Sequence, residues 1–172
     1  LCVVDELTTG PQVLVGSSLG GWLMLNAALA RPDRIAGLVG IAAAPDFTEE
    51  LIWAELDEDQ RHQMQQEGKI ALPNPYADEP VVYPYQLIVD GRQHLRLCGK
   101  LDITVPIRLL HGIKDAEVPW KTATRIAACA ASDDVTLHLV KDAGHRFSTP
   151  AQLALLRDTV AGLVAQIEAE AS

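Results

Sequence analysis

One serine, one aspartate and one histidine, each set beside glycine or in a loop-forming run, have the types and order for chemistry. Ser18 stands in Gly16-Ser17-Ser18-Leu19-Gly20-Gly21, directly after the short apolar run 12–15 and directly before the apolar stretch Leu19–Ala30. Glycine at both −2 and +2 of a serine, between a strand and a helix, marks a sharp turn that presents the hydroxyl above the strand end. Gly16 and Gly20 are expected there because a Cβ at either place would crowd so tight a turn, and Ser17 lacks this flanking pair. The helix opening after Ser18 aims its first amides at the same spot, so the Leu19 backbone N–H is the candidate donor to a developing oxyanion. A serine hydroxyl becomes a useful nucleophile only when a base takes its proton, and the base needs an acid to hold its tautomer. The sequence supplies both in later loops. Asp115 lies in His111-Gly112-Ile113-Lys114-Asp115-Ala116-Glu117-Val118-Pro119, after the run 107–111, and His145 ends Asp142-Ala143-Gly144-His145, after the run Val135–Val140. The chemistry these three residues suit is acyl transfer through a serine ester.

Other residues have simpler readings. Glu117 and Asp142 are the alternative carboxylates, and Glu117, just before the Val-Pro that opens a helix, suits the helix dipole. His62 and His94 fall in polar helical stretches and His138 alternates outward on a strand, which makes all three surface residues. His111, at a strand end before glycine, reads as a structural hydrogen-bonder beneath the acid loop. Trp22, Trp53 and Trp120 could line an acyl pocket, with Trp22 on an apolar helix the better core residue.

The three loops need a scaffold. Four apolar runs, 12–15, 36–42, 107–111 and 135–140, read as buried strands. Between them lie helical patterns at 19–30, 120–131 and 150–167, the last with Leu153, Leu156, Val160, Leu163, Val164 and Ile167 on one stripe. Alternating strands and helices imply an α/β parallel sheet flanked by helices. In open sheets of this kind ligands bind beyond the carboxyl ends of the strands, where Ser18, Asp115 and His145 all fall. The helix 19–30 carries only Asn26 as an amide side chain, so cover is expected on nearly every face. The core is expected at 1–44 and 101–172, interrupted by an insertion at 45–100. That insertion holds 11 acidic and 5 basic residues and five of the ten prolines. It reads as a helical cap or lid: 49–67 as one or two polar helices, then loop broken by Pro73, Pro75, Pro80 and Pro84.

Composition narrows the function further. With 14 Lys+Arg against 23 Asp+Glu the net charge is −9, which works against binding nucleic acid or anionic lipid. The apolar runs are shorter than the roughly 18–20 residues of a membrane span. Three cysteines, Cys2, Cys98 and Cys129, show no CxxC or Cys/His spacing, so neither a disulfide framework nor a metal is indicated, and the chemistry needs no cofactor. The chain begins at Leu1 without the basic-then-apolar layout of a signal peptide.

Beyond these patterns, the stretch 13–30 followed by Arg31-Pro32 resembles a known family. So do the run Pro106-Ile107-Arg108-Leu109-Leu110-His111-Gly112 with Asp115 and Val118-Pro119-Trp120, and the His145 loop. The family is the α/β-hydrolases, and within it the mitochondrial palmitoyl-protein thioesterase branch with its bacterial relatives. The likeness runs from about Gly10 to the C-terminus and is weak over 44–102. It implies the C-terminal portion of an α/β-hydrolase fold, with Ser18 as nucleophile, Asp115 as acid and His145 as base. It also implies cleavage of S-acyl thioesters on protein cysteines and of acyl-glucuronide esters, in the cytoplasm or, in a eukaryote, in mitochondria. Serine at the elbow, in place of aspartate, counts against epoxide and haloalkane hydrolysis. The chain departs from the family at its start: only 17 residues precede Ser18, where a member carries four strands and the His-Gly loop that gives the second oxyanion hydrogen bond. Expected partners are a small ester or acyl-thioester substrate, together with either a further N-terminal segment or a second copy to cover the elbow strand. The competing readings are a weakly active or non-catalytic interaction module and an amide or carbon-carbon bond hydrolase of the same fold.

Overall fold

The computed structural model describes residues 1–74 and 77–171, and the chain divides into two compact units, residues 1–45 with 96–172 and residues 46–95. In chain order the elements are α1 (Cys2–Glu6), β1 (Gln12–Ser17), α2 (Leu19–Ala30), β2 (Ile35–Ile41), α3 (Glu58–Glu67), β3 (Lys69–Leu72), β4 (Val81–Pro84), α4 (Tyr85–Gly91), β5 (Ile107–Gly112), α5 (Lys121–Cys129), β6 (Val135–Val140) and α6 (Pro150–Glu170).

The larger unit is built on a four-stranded parallel sheet in the order β1-β2-β5-β6. Its central strands are largely apolar because both faces are covered, with Arg108 and His111 of β5 as the polar exceptions. Leu38 and Leu109 pack on one face with Leu25 of α2 and Ile126 of α5. Their neighbours Val39 and Leu110 pack on the other with Leu163 of α6, the period-two alternation of a strand turned into two cores. Thr149 starts α6, accepting from the Gln152 amide while the Gln152 side chain accepts from the Thr149 amide, with Pro150 in the first turn. Not every apolar residue is used as the sequence suggested. Leu153 is half exposed while Leu155 joins the core. Leu19 and Leu23 of α2 are 46% and 58% exposed, so that helix is covered on one side rather than on nearly all. β1 is an edge strand of this sheet. The short α1 is tied to the end of α2 by the Asp5–Arg31 ion pair at 2.9 Å. Arg34 reinforces it by donating to the carbonyls of Val4, Thr8 and Gly10.

The smaller unit has its own core of Ile52, Leu56, Met64, Ile70 and Ile88. Asp57 caps α3 reciprocally with Gln60, and Gly68 ends it in a left-handed conformation. Arg61 and Arg92 lie over the Trp53 ring at 5.5 and 4.8 Å, and Arg92 also pairs with Glu49. Two expectations need correction. The proline-rich stretch is not all loop, since β3 and β4 form an antiparallel pair with Ile70 opposite Tyr83. β-branched and aromatic residues at 81–83 supply strand propensity that the prolines bracket without interrupting; Pro75 lies outside the described residues. The unit is therefore not purely helical. Residues 96–100 belong to the larger unit because Leu97 packs into its core beside Leu101. Among the described residues, no helix is long and apolar enough to cross a membrane.

Candidate active site

The turn after β1 is held in a conformation few residues adopt. Ser18 has φ of +53° and ψ of −119°, a strained backbone that costs about 1–3 kcal/mol and persists only where surroundings over-determine it. Here they do: Ser18 N–H donates to the Ile41 carbonyl at the end of β2, while the Ser18 carbonyl accepts from the amides of Gly21 and Ala44. The Leu19 amide, in the first turn of α2, belongs to the group of helix N–H donors that have no partner within their own helix.

The flanking glycines are not equivalent. A Cβ on Gly16 would run into the Gly20 carbonyl and lie 2.8 Å from the Gly21 nitrogen, and one on Gly21 would meet Ala43; a Cβ on Gly20 meets nothing within 4 Å. Crowding explains Gly16, and the expectation that it also explains Gly20 is corrected. Gly16→Ala should therefore lower stability by about 3 kcal/mol, whereas Gly20→Ala should hold or gain up to about 1 kcal/mol from helix propensity. Urea titrations of the two variants compare them directly, and equal midpoints would be inconsistent with this packing.

The loops after β5 and β6 converge on the same place. Lys114 N–H donates to the Ala143 carbonyl and Ile113 N–H to the Val140 carbonyl. The loops approach so closely that a Cβ on Gly112 would strike that Ala143 carbonyl. Asp115 is carried into the junction with its side chain fully buried. Its Oδ1 accepts from the amides of Glu117 and Val118. Its Oδ2 accepts from His145 Nδ1 at 2.9 Å and lies 3.2 Å from His111 Nε2.

His145 Nε2 in turn lies 3.0 Å from Ser18 Oγ. With Nδ1–H donating to the carboxylate, Nε2 is the acceptor and the serine hydroxyl donates to it. Ser18, His145 and Asp115 thus form one hydrogen-bonded chain. Desolvation alone would raise the Asp115 pKa, but the hydrogen bonds from His111, His145 and the Val118 and Glu117 amides outweigh it and hold the carboxyl well below the usual carboxylate range. The hydrogen bond to Asp115 raises the His145 pKa against the opposing effect of burial, and the charges of Asp115 and Glu117 add to the rise.

The other sequence candidates separate. His111 is fully buried, its Nε2–H donating to the Val118 carbonyl at 2.9 Å, and its Nδ1 has no hydrogen-bond partner among the described residues. His62, His94 and His138 are exposed. Trp22 is core at 5% exposure, and Trp53 packs against Tyr85. Asp142 is ion-paired with Lys114 at 2.7 Å. Glu117 is the residue the sequence misassigned. α5 begins at Lys121, so Glu117 is not in a first helical turn; its carboxylate lies 3.9 Å from His145 Nε2. Among the described residues no cluster of three or more His, Cys, Asp or Glu side chains could hold a metal.

An array of serine, imidazole and buried carboxylate beyond the carboxyl ends of parallel strands can carry out acyl transfer. Comparison with known proteins places the scaffold. Residues 1–72 match the alpha/beta hydrolase fold family, and the chain superposes on the mouse alpha/beta hydrolase domain-containing protein 10 with a TM-score of 0.87 and 36% identity, covering 96% of this chain and 66% of that one. The chain has the α/β-hydrolase fold. A putative hydrolase from Agrobacterium vitis S4 has the same α/β-hydrolase architecture, with a TM-score of 0.87, 34% identity and coverage of 94% of this chain and 64% of that one. The human mitochondrial palmitoyl-protein thioesterase ABHD10 is 39% identical over 165 residues, which is 95% of this chain and 54% of the human protein. The hydrolase fold described here thus spans about half the length of the curated relatives it matches.

Proposed function

We propose that the chain carries the catalytic machinery of a serine hydrolase that cleaves carboxylic ester or thioester bonds, with S-acyl groups on protein cysteines as its natural substrate class. Ser18 Oγ attacks the acyl carbon as His145 Nε2 takes its proton, and Asp115 steadies the imidazolium that forms. The oxyanion of the tetrahedral intermediate is received by the Leu19 amide. Collapse expels the thiol or alcohol, protonated from Nε2, and leaves the acyl group on Ser18. A water, deprotonated by the same nitrogen, then frees the acid. The observation that carries this reading is the unbroken hydrogen-bond chain from Ser18 Oγ through His145 to Asp115. The relatives named as palmitoyl-protein thioesterases support the substrate class and a mitochondrial setting where the source is eukaryotic.

The decisive experiment treats the protein with a fluorophosphonate probe and maps the adduct by mass spectrometry, alongside turnover of an S-palmitoyl peptide. Labelling at Ser18 with thioester turnover is expected; a protein that takes no label at Ser18 and turns over no ester is an interaction module instead. Acyl-chain preference is assigned to the 46–95 unit. Exchanging it for the corresponding insertion of another hydrolase should change the rank order of acyl-chain lengths while Ser18 labelling persists, and an unaltered rank order would remove that unit from substrate choice.

A further inference from the structure

The function proposed above uses both nitrogens of His145, and each faces a carboxylate. Asp115 lies across Nδ1 at 2.9 Å, as the reading requires. Glu117 lies across Nε2 with Oε2 at 3.9 Å, and nothing in the acyl-transfer cycle uses it. Nε2 is also 3.0 Å from Ser18 Oγ, so the Glu117 carboxylate sits within about 7 Å of the attacking oxygen by the two distances alone. Its position is not a chance of a wandering side chain's backbone, because the Glu117 amide is anchored on Asp115 Oδ1 at 2.9 Å. The surroundings are only partly wet: side-chain exposure is 35% for Glu117 and 15% for His145. A charge here is screened less than at an open surface.

The side of the site that Glu117 addresses follows from the chemistry. In the acylation step Nε2 hands its proton to the departing oxygen or sulfur, so that atom must come within hydrogen-bond reach of Nε2. The leaving group, rather than the acyl chain, is the part of the substrate brought beside Glu117. We propose that Glu117 is a specificity-determining residue that selects by charge on the leaving group, disfavouring those with an anionic substituent near the scissile bond and favouring neutral or cationic ones. The proposal rests on the serine-hydrolase reading and adds a residue to it.

Lys114 is engaged with Asp142 on the two loops that carry the acid and the base, and His111 lies on the Asp115 side.

The test is a matched pair of esters with one acyl group, 4-nitrophenyl butyrate and 3-carboxy-4-nitrophenyl butyrate, which differ in one carboxylate on the leaving group. Wild type should prefer the neutral ester. Glu117→Gln should raise the kcat/KM ratio of anionic to neutral ester about fivefold at low ionic strength, less in high salt. Glu117→Lys should carry the ratio further the same way. A second readout is the acid limb of kcat/KM for the neutral ester, which should move to lower pH in Glu117→Gln, since a carboxylate that favours imidazolium is gone. A merely structural glutamate would lower both esters together and leave the limb in place. A ratio unchanged within twofold in both variants, in a protein that turns over the neutral ester and labels at Ser18, overturns the role of Glu117 alone. A wild type that neither labels nor turns over either ester overturns the serine-hydrolase reading, and Glu117 with it.

Discussion

Ser18→Ala is expected to lower kcat for short 4-nitrophenyl esters by at least about 10⁴-fold while leaving the urea midpoint within about 1 kcal/mol of wild type. The two halves of this expectation have different physical origins. Turnover is lost because the hydroxyl hydrogen-bonded to His145 Nε2, the one that would attack the acyl carbon, is removed. The fold survives because the elbow is held by main-chain bonds, Ser18 N–H to Ile41 and the Ser18 carbonyl to Gly21 and Ala44, and alanine keeps them all. Ala42, at the end of β2, already adopts a φ of +44°, so this fold tolerates alanine in such a conformation. Because the members of such a hydrogen-bonded chain act as a unit, Ser18→Ala combined with His145→Ala should be no slower than either alone. Retention of wild-type kcat by Ser18→Ala would refute the assignment.

The second large effect concerns Asp115→Asn. Asparagine can keep the two main-chain bonds to Glu117 and Val118 but brings no charge to His145 Nδ1. The rate should fall by about 10³–10⁴-fold, and the pH profile should change with it. The base must be neutral to act, so kcat/KM climbs as His145 loses its proton. Asp115 and Glu117 hold the His145 pKa above its ordinary 6.5, which sets the wild-type limb above that value. In Asp115→Asn the limb should move to lower pH, since the Asp115 hydrogen bond and charge are gone while burial, which lowers the pKa, remains.

Stability carries the same signs. His145, with a raised pKa, contributes stability that is full below about pH 6.5 and is lost as pH rises through its folded value. Asp115, with a lowered pKa, contributes stability present above its ordinary value and lost as pH falls towards its folded one. The stability gap between wild type and Asp115→Asn should accordingly shrink in strong acid. A limb that stays in place in Asp115→Asn would pass the acid's role to another carboxylate.

What the sequence made legible was whatever depended on local pattern. Glycines around Ser18 and the Gly-His145 and Gly112–Asp115 loops each announce a turn after an apolar run, and parallel strands can only deliver such turns to one end of a sheet. The strands and the three long helices were readable for the same reason. Tertiary detail was not. Leu153 and Leu155 lie two residues apart, on nearly opposite sides of α6, and which side faces the sheet is set by the packing of α6 on β2 and β5. Gly20 looked as necessary as Gly16, because a motif records which residue stands there and not what surrounds it. Glu117 was read as serving the dipole of a helix that starts four residues later, and its approach to His145 joins loops that follow two different strands. The β3–β4 pair was hidden by its prolines, whose effect depends on whether they fall inside a strand or at its ends.

The stitching of the acid and base loops has a consequence for how the chain reaches its working form. Ser18 and His145 meet across 127 residues of sequence, and β2 and β5, parallel neighbours in the sheet, have residues 42–106 between them. Long closures are entropically slow to make, and folds dominated by non-local parallel pairing sit at the sluggish end of folding rates. α2 and α6 can coil early from local contacts alone. The strained elbow cannot settle until the ends of β2 and β5 are in place, because Ser18 N–H needs the Ile41 carbonyl and Ala42 N–H needs that of Leu110. During refolding, helical content is therefore expected to return ahead of the nucleophile's geometry, with fluorophosphonate labelling of Ser18 recovering later than the far-ultraviolet circular dichroism signal.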